Sequence, residues 1–265
     1  MQLVRLKPRC EGKEQEVSER RAPRLYVIAR LASGKAVELS TGQAHYLRSV
    51  LRLGAAAAVT AFNASDGEWL CRIAEIGKRG AQLRIERQMR SPTPEPDFWL
   101  LFAPIKRGRI DWLVEKATEL GVSALQPVRT ARTQAERLSL ERLRAHAIEA
   151  AEQSERLSVP ELRSPEALGR VLAAWPAERR LMVCDESGAG EPIGAAVARL
   201  PVGPMALLVG PEGGFDQTEL DALGKLSFVS RVGLGPRVLR AETAALAALA
   251  VYQATAGDWR RTRSR

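Results

Sequence analysis

The sequence predicts a small β-rich domain followed by a larger α/β domain. Short strand-like runs separated by turns fill the segment from Arg24 to Arg87. Three prolines in alternate positions then interrupt the chain between Ser91 and Pro96, where neither a helix nor a central strand can continue. Beyond them, apolar runs alternate with longer helical stretches, which is typical of an α/β domain with a mostly parallel sheet.

Length and composition are those of a folded chain with a basic surface. The 265 residues, 45% of them hydrophobic, are enough to bury a substantial core. Since no apolar run reaches about 18 residues and residues 1–21 lack a secretory pattern, we expect a cytoplasmic protein without a membrane span. The net charge of +9 favours a nucleic-acid partner, because basic side chains docked on phosphates release counterions. The same charge also occurs in proteins that bind no nucleic acid.

The cysteines and histidines show no metal-binding pattern. Cys10, Cys71 and Cys184 are widely spaced without a Cys-x-x-Cys motif, and the only histidines are His45 and His146. We therefore predict neither a disulfide nor a metal site.

The first part of the chain divides into an extension and a β-rich domain. Residues 1–22 are polar and without periodicity, so we expect a poorly ordered extension. Residues 23–90 form the first domain, in which Gln43–Leu53 is predicted as its one helix. The predicted strands are Leu25–Ile28, Ala57–Phe62, Trp69–Ile73 and Gln82–Ile85.

The second domain spans residues 98–257 and is followed by a basic tail, residues 258–265. Its apolar runs and helical stretches are Phe98–Ala103, Ile110–Leu120, Leu138–Arg156, Leu181–Cys184 and Met205–Val209.

A glycine-rich loop is the strongest local motif. The apolar run Met205–Val209 leads into Gly210-Pro211-Glu212-Gly213-Gly214-Phe215, after which Asp216 and Glu219 form a capping-box pattern that opens a helix. Glycines allow the backbone to approach a ligand closely. The loop is either a ligand-binding loop or a tight connection between a strand and a helix.

A second glycine turn precedes the last helix. The segment Leu234-Gly235-Pro236-Arg237-Val238-Leu239-Arg240-Ala241-Glu242 runs into an Ala- and Leu-rich helix that reaches Ala256. Free N–H groups at a helix N-terminus favour anionic groups. Glu242 either interacts with the helix dipole or has a catalytic or binding role. The sequence lacks a P-loop motif, and the glycines of residues 188–194 have the wrong spacing for a dinucleotide-binding motif.

Together the two loops resemble the signature of the RsmE family of ribosomal RNA small-subunit methyltransferases, within the SPOUT superfamily. Further segments that look like the family are Lys116–Val122, Glu149–Arg156 and His45–Arg52. The similarity runs from about Pro23 to Tyr252.

The resemblance implies a PUA-like barrel that helps to hold RNA, and an α/β domain whose end is threaded into a trefoil knot. It also implies S-adenosylmethionine as the cofactor, a homodimer that completes the RNA site, and methylation of N3 of a uridine in small-subunit (16S) ribosomal RNA. The implied cofactor contacts are Cys184, Asp185, Val209, Gly210, Pro211, Glu212, Gly213, Gly214, Leu234, Gly235, Arg237, Val238 and Leu239. The candidate RNA contacts are Arg24, His45, Arg48, Arg52, Arg129, Arg132 and Arg156, each of which can also be an ordinary surface or structural residue.

The chemistry of uridine suggests the catalytic candidates. Uridine N3 carries a proton with a pKa of about 9 to 10, so an enzyme must help the proton to leave or stabilise the anion. We hypothesise that Arg240, Arg237 or an arginine of a partner subunit stabilises the anion, and that Glu242 accepts the proton.

The sequence departs from the family pattern at two places. Residues 1–22 precede the family pattern, and residues 54–58 lack the acidic residue expected in that turn.

Two alternative functions remain open. A related SPOUT enzyme would methylate a ribose 2′-hydroxyl or a transfer RNA. A non-catalytic RNA-binding assembly factor is the other alternative, but such a factor needs no close-approach glycines in the two loops.

Overall fold

The structure is a computed structural model that describes Glu19 and residues 22–134, 138–201 and 203–260. The predicted extension and basic tail therefore lie largely outside the described residues. The chain divides into two compact units, residues 1–94 and 95–265. Among the described helices, none is long and apolar enough to span a membrane.

The first unit is built on a five-stranded sheet with the order β1-β3-β4-β5-β2. Strand β1 pairs with β3 in parallel, and the other pairs are antiparallel. Its elements are β1 (Arg24–Tyr26), β2 (Ala36–Leu39), α1 (Thr41–His45), a π-helical turn (Tyr46–Val50), β3 (Ala58–Asn63), β4 (Gly67–Ile76) and β5 (Ala81–Arg90).

One helical segment packs on the core of this unit. Ser40 and Gln43 form a capping box that starts α1, and Leu47 from the π-helical turn is completely buried in the core. The predicted helix is thus present but begins two residues earlier and changes to π-helical geometry at Tyr46. Strand β2 was not predicted, because its alternation extends over only four residues.

The second unit contains a parallel sheet with the order β11-β13-β10-β12-β6-β7-β8, in which β9 also pairs with β7. Every strand pair in this sheet is parallel, which confirms the predicted fold class. The strands are β6 (Phe98–Phe102), β7 (Ala124–Arg129), β8 (Glu161–Leu162), β9 (Glu166–Ala167), β10 (Arg180–Cys184), β11 (Glu191–Pro192), β12 (Met205–Val209) and β13 (Val229–Gly233). The helices are α2 (Arg107–Glu119), α3 (Leu140–Gln153), α4 (Leu168–Ala173), α5 (Ile193–Arg199), α6 (Gln217–Gly224) and α7 (Ala241–Thr255), followed by a 3₁₀ turn (Asp258–Arg260).

Helices cover both faces of this sheet. Strand β12 is buried along its whole length, and its side chains alternate between two apolar clusters. Leu207 packs with residues of α2, α3, α5 and α7, whereas Leu208 packs with residues of α4 and α6. The two helices that follow the glycine loops, α6 and α7, therefore lie on opposite faces.

The end of the chain returns across the sheet. Strand β13 lies on the far side of β10 from β12, yet α7, which follows β13, packs against both β10 and β12. Such a return is what a knotted C-terminal end requires, and the knot itself stays a prediction from the resemblance.

Candidate functional site

Three loops meet at one edge of the second unit's sheet. Strands β13, β10 and β12 are parallel neighbours, so the loops that follow them emerge at the same carboxyl edge, where α/β sheets bind their ligands. The backbone N–H of Asp185 donates to the carbonyl of Val232 at 2.9 Å. The N–H of Phe215 donates to Oε1 of Glu186 at 2.8 Å. These bonds join the loop after β10 to the end of strand β13 and to the loop after β12.

Asp185 lies in the first loop, which follows β10, and its buried side chain is held by hydrogen bonds within the protein. Its side chain is fully buried, with Oδ2 accepting from Nε and Nη2 of Arg231 at 2.9 and 2.6 Å and Oδ1 accepting from the N–H of Ser187 at 2.9 Å. Burial by itself raises the pKa of Asp185, but the hydrogen bonds from Ser187 and Arg231 outweigh it and hold the pKa below its ordinary value. Since both oxygens are satisfied within the protein, any cofactor contact of Asp185 must come from its backbone.

Cys184 has a similarly internal side chain. Burial raises the pKa of its thiol to about 12, so the sulfur is protonated and packs as a small apolar group. Its expected contribution to the cofactor site is therefore also limited to the backbone.

The second loop, which follows β12, has two glycines at which a Cβ would be crowded. Gly214 has a φ of +68°, and a Cβ there would lie 2.0 Å from Oε1 of Glu186. A Cβ at Gly210 would lie 3.0 Å from the ring of Phe215. The following helix starts with the predicted capping box of Asp216 and Glu219, and Glu219 also accepts from the N–H of Ala131 at 2.8 Å. The loop is thus a tight strand-to-helix turn that leaves Glu212 and Gly213 exposed.

The third loop, which follows β13, has free backbone N–H groups and an exposed apolar side chain. Gly235 has a φ of +93°, and Val238 is 88% exposed. In the described part of the chain, the N–H groups from Gly235 to Leu239 donate no hydrogen bond. Arg240 provides no side-chain cap for α7, so the positive end of this helix is open to a ligand.

These features fit S-adenosylmethionine, the cofactor that the resemblance implies. The ligand has a carboxylate and ribose hydroxyls that can accept hydrogen bonds from free N–H groups, and apolar parts that can cover Val238. In the second loop, Glu212 and Gly213 are exposed and can contact a ligand, whereas the missing Cβ atoms of the buried Gly210 and Gly214 make room for Phe215 and Glu186.

One of the two carboxylate oxygens of Glu242 has no hydrogen-bond partner among the described residues. The residue is 8% exposed, and its Oε1 lies 3.5 Å from Nε of Arg109 in the first turns of α2. Its Oε2 is buried without a hydrogen-bond partner in the described part of the chain, and such atoms in native proteins usually have a protein, water or ligand partner. Arg109 was not among the predicted site residues, because nothing in its local sequence distinguishes it from other basic residues.

The candidate RNA contacts of the second unit divide into exposed and buried residues. Among them, Arg132 is exposed and its Nη1 donates to the carbonyl of Gly213 at 2.9 Å. The catalytic candidates Arg237, in the third loop, and Arg240, directly after it, are exposed too. Arg129 is also exposed, with hydrogen-bond and ion-pair contacts to Pro165 and Glu166.

Arg156 does not have the position expected of an RNA contact. Its side chain is only 7% exposed and is paired with Glu95. Its guanidinium also donates to the carbonyls of Thr118 and Val122 at 2.5 and 3.0 Å. The structure therefore gives Arg156 an internal, structural role instead of the RNA contact that we expected.

In the first unit, Arg24 is also largely internal. Its side chain is 11% exposed, pairs with Glu68 at 2.6 Å and lies over the ring of Phe62. His45 and Arg52 are exposed and Arg48 is half-buried on the helical segment and the turn after it.

Comparison with known proteins identifies the family. Residues 92–253 match the model of an RNA methyltransferase domain, and residues 39–86 match that of an RNA methyltransferase PUA domain. The ribosomal RNA small subunit methyltransferase E of Rickettsia conorii is 34% identical over 230 residues, covering 86% of this chain and 93% of the relative. The chain belongs to the ribosomal RNA small subunit methyltransferase E family.

Solved structures similar to this chain contain the cofactor. The ribosomal RNA small subunit methyltransferase E of Neisseria gonorrhoeae, bound to S-adenosylmethionine, has a TM-score of 0.80 and 29% identity, with 90% of this chain and 99% of that chain covered. A Legionella pneumophila protein in complex with the same cofactor has a TM-score of 0.79 and 29% identity, with 88% and 98% covered. Membership in this family confirms the predicted enzyme class, an S-adenosylmethionine-dependent RNA methyltransferase.

Proposed function

We propose that this chain transfers the methyl group of S-adenosylmethionine to N3 of a uridine in small-subunit (16S) ribosomal RNA. The observation that carries the proposal is the meeting of three loops at the carboxyl edge of the parallel sheet, with Glu242 in the first turn of the helix that follows the third loop. The names of the family relatives support ribosomal RNA as the substrate.

The cofactor is held mainly by backbone groups in this proposal. The segments concerned are residues 184–186, 209–214 and 234–239, which include all the predicted cofactor contacts. When bound, S-adenosylmethionine supplies a methyl group on a positively charged sulfur. The loops contribute by aligning the cofactor with the attacking nitrogen and by excluding water.

Glu242 accepts the N3 proton of the uridine in this mechanism. Its Oε2, which has no partner among the described residues, can receive a hydrogen bond, while Arg109 lies beside Oε1. Arg237 and Arg240 are exposed close by in the chain and stabilise the negative charge that develops on the uracil ring.

RNA is bound by basic residues of both units. Arg48, Arg52 and His45 of the first unit and Arg129 and Arg132 of the second are the proposed contacts, with Arg24 in a supporting position beside Glu68. We further propose that the chain works as a homodimer on the small ribosomal subunit in the cytoplasm, as the family resemblance implies.

The direct test is methyl transfer from labelled S-adenosylmethionine to small ribosomal subunits that lack this modification, followed by digestion of the RNA to nucleosides. We expect the label in N3-methyluridine. Label in a ribose-methylated nucleoside would contradict N3 of uridine as the target. Label that appears only when transfer RNA is supplied would contradict ribosomal RNA as the substrate. Either result would still show an RNA methyltransferase. Absence of label with every RNA, despite RNA binding, favours the assembly-factor alternative.

A further inference from the structure

The arginines of the first unit fall into two groups. Arginines on the strands are neutralised by acidic residues, whereas Arg48 and Arg52 of the helical segment, like Arg30 and Arg79, form no ion pair with any described residue. The neutralised pairs are Arg24–Glu68, Arg72–Glu19, Arg72–Glu86, Arg84–Glu86, Arg87–Glu19 and Arg90–Glu68. No Asp or Glu occurs between Glu38 and Asp66, so the helical segment carries positive charge that nothing nearby in the chain balances.

The same segment exposes apolar side chains. Tyr46 is 37% exposed, Val50 60% and Leu51 36%. The N–H of Leu51 donates to the carbonyl of Tyr46 at 3.0 Å, which is the hydrogen bond of a π-helical turn. Residues four and five apart lie on one side of such a turn, so these three side chains share a surface.

The backbone holds this surface in an unusual conformation. Arg52 and Ala56 have φ values of +56° and +66°, which cost about 1–3 kcal/mol each for residues other than glycine. Burial of Leu47 and the hydrogen bond from the N–H of Leu53 to its carbonyl at 2.9 Å fix the turn to the core. Exposed apolar side chains and unpaired arginines are thus presented on a firmly attached element.

We propose that the surface formed by Tyr46, Arg48, Val50, Leu51 and Arg52 binds unpaired nucleotides of RNA, with the ring of Tyr46 stacking on a base. Stacking on aromatic side chains combined with arginine–phosphate contacts is how proteins bind single-stranded RNA, whereas the bases of a duplex are stacked on each other and unavailable. The proposal rests on the proposed function, since it assigns a part of the RNA substrate to this surface.

Two variants of the full chain test the stacking. We expect Tyr46→Ala to weaken binding of a fluorescently labelled single-stranded RNA oligonucleotide about tenfold, while Tyr46→Phe, which keeps the ring, binds like the wild type. Binding of the same strand in a perfect duplex should not change. Equal losses for Tyr46→Ala and Tyr46→Phe, equal losses for single strand and duplex, or no loss at all overturns the proposal.

A matched pair of arginine variants tests the charge. Arg48→Gln should weaken RNA binding and reduce the slope of log affinity against log salt concentration by about 1. Arg84→Gln removes an arginine of the same unit that is paired with Glu86, and it should leave both quantities unchanged. The same effect from both variants contradicts a specific role for the unpaired arginines.

Two additional measurements keep this proposal separate from the proposed function. If wild-type chain transfers no methyl group but the Tyr46 variants behave as expected, the surface stands and the proposed function fails. If methyl transfer occurs and Tyr46→Ala changes neither RNA affinity nor the KM for RNA, the surface proposal fails alone. A change in the association state of Tyr46→Ala without RNA, measured by sedimentation, would identify a protein contact and overturn the proposal.

Discussion

Glu242 of α7 is nearly buried and pairs with the partly exposed Arg109 of α2, and its second carboxylate oxygen has no hydrogen-bond partner among the described residues. A charge that is buried beside only one partner is costly unless another group completes its surroundings. An interaction with the helix dipole, the simpler explanation of Glu242, requires neither burial nor Arg109. The position of Glu242 therefore favours a role towards a bound substrate.

We expect Glu242→Gln to reduce the single-turnover rate of methyl transfer by about 100-fold or more, because general-base catalysis contributes at least that factor. S-adenosylmethionine affinity should stay the same, as measured by calorimetry. Glu141→Gln is the control, since Glu141 also lies in the first turn of a helix, α3, but is exposed. An unchanged rate for Glu242→Gln across pH would remove Glu242 as the base.

Arg156 gives a prediction about stability. Because its buried guanidinium pairs with Glu95 and donates to two carbonyls, we expect Arg156→Gln to lower the free energy of unfolding by about 3 kcal/mol. Arg144→Gln, at an exposed position of α3, should change it little. Urea titration of both variants provides the measurement, and a normal stability with weakened RNA binding would restore Arg156 as an RNA contact.

Asp185 gives a prediction about pH. Its pKa is lower in the folded than in the unfolded chain, so the ionised carboxylate stabilises the fold above its unfolded pKa of about 4 and this contribution is lost as the pH falls through the folded value. Wild type should therefore be more stable than Asp185→Asn at neutral pH, and the difference should shrink below about pH 4. A difference in urea unfolding that is independent of pH would contradict this account.

Single residues show where sequence reasoning was limited. The sequence placed Asp185 in the loop after β10, but it could not show that the Asp185 carboxylate forms an ion pair with Arg231, 46 residues later. Arg109 was missed for the same reason, since its partner Glu242 is distant in the chain.

At the scale of elements, the prediction was best where one local pattern decided the structure. The bounds of β12 were predicted correctly, because a continuous apolar run ends at Gly210. Strand β7 was missed because Gln126 and Pro127 interrupt its apolar pattern, although neighbouring strands pair with it on both sides. The two-residue strands and the short helices α4 and α5 carry too few residues for a periodic signal.

The start of β4 provides a test of close packing in the first unit. Gly67 and Gly34 have nearly equal φ values, +80° and +78°. A Cβ at Gly67 would lie 2.2 Å from the carbonyl oxygen of Arg90, whereas a Cβ at Gly34 would meet no atom within 4 Å. We expect Gly34→Ala to destabilise the unit by about 1 kcal/mol through backbone strain. Gly67→Ala should destabilise it clearly more, and equal effects in urea unfolding would contradict the steric explanation.

For the whole molecule, the arrangement of the site depends on sheet topology. Local patterns predicted a parallel sheet and two glycine loops, but not that β13, β10 and β12 are neighbours, because strand order is fixed by long-range packing. The family resemblance supplied that step, because the cofactor contacts that it implies come from all three loops. The proposed catalytic residues are meaningful only if these loops bind S-adenosylmethionine together.

The most direct test is therefore a calorimetric titration of S-adenosylmethionine into wild type, Gly214→Ala and Gly194→Ala. A Cβ at Gly214 displaces Glu186 from its bond to Phe215, whereas a Cβ at Gly194 in helix α5 meets no atom within 4 Å. We predict one binding site per chain in wild type, unchanged affinity in Gly194→Ala, and affinity at least about tenfold weaker in Gly214→Ala. Absence of binding in the wild type, or equal affinity in all three proteins, would contradict the assignment of the three loops as the cofactor site.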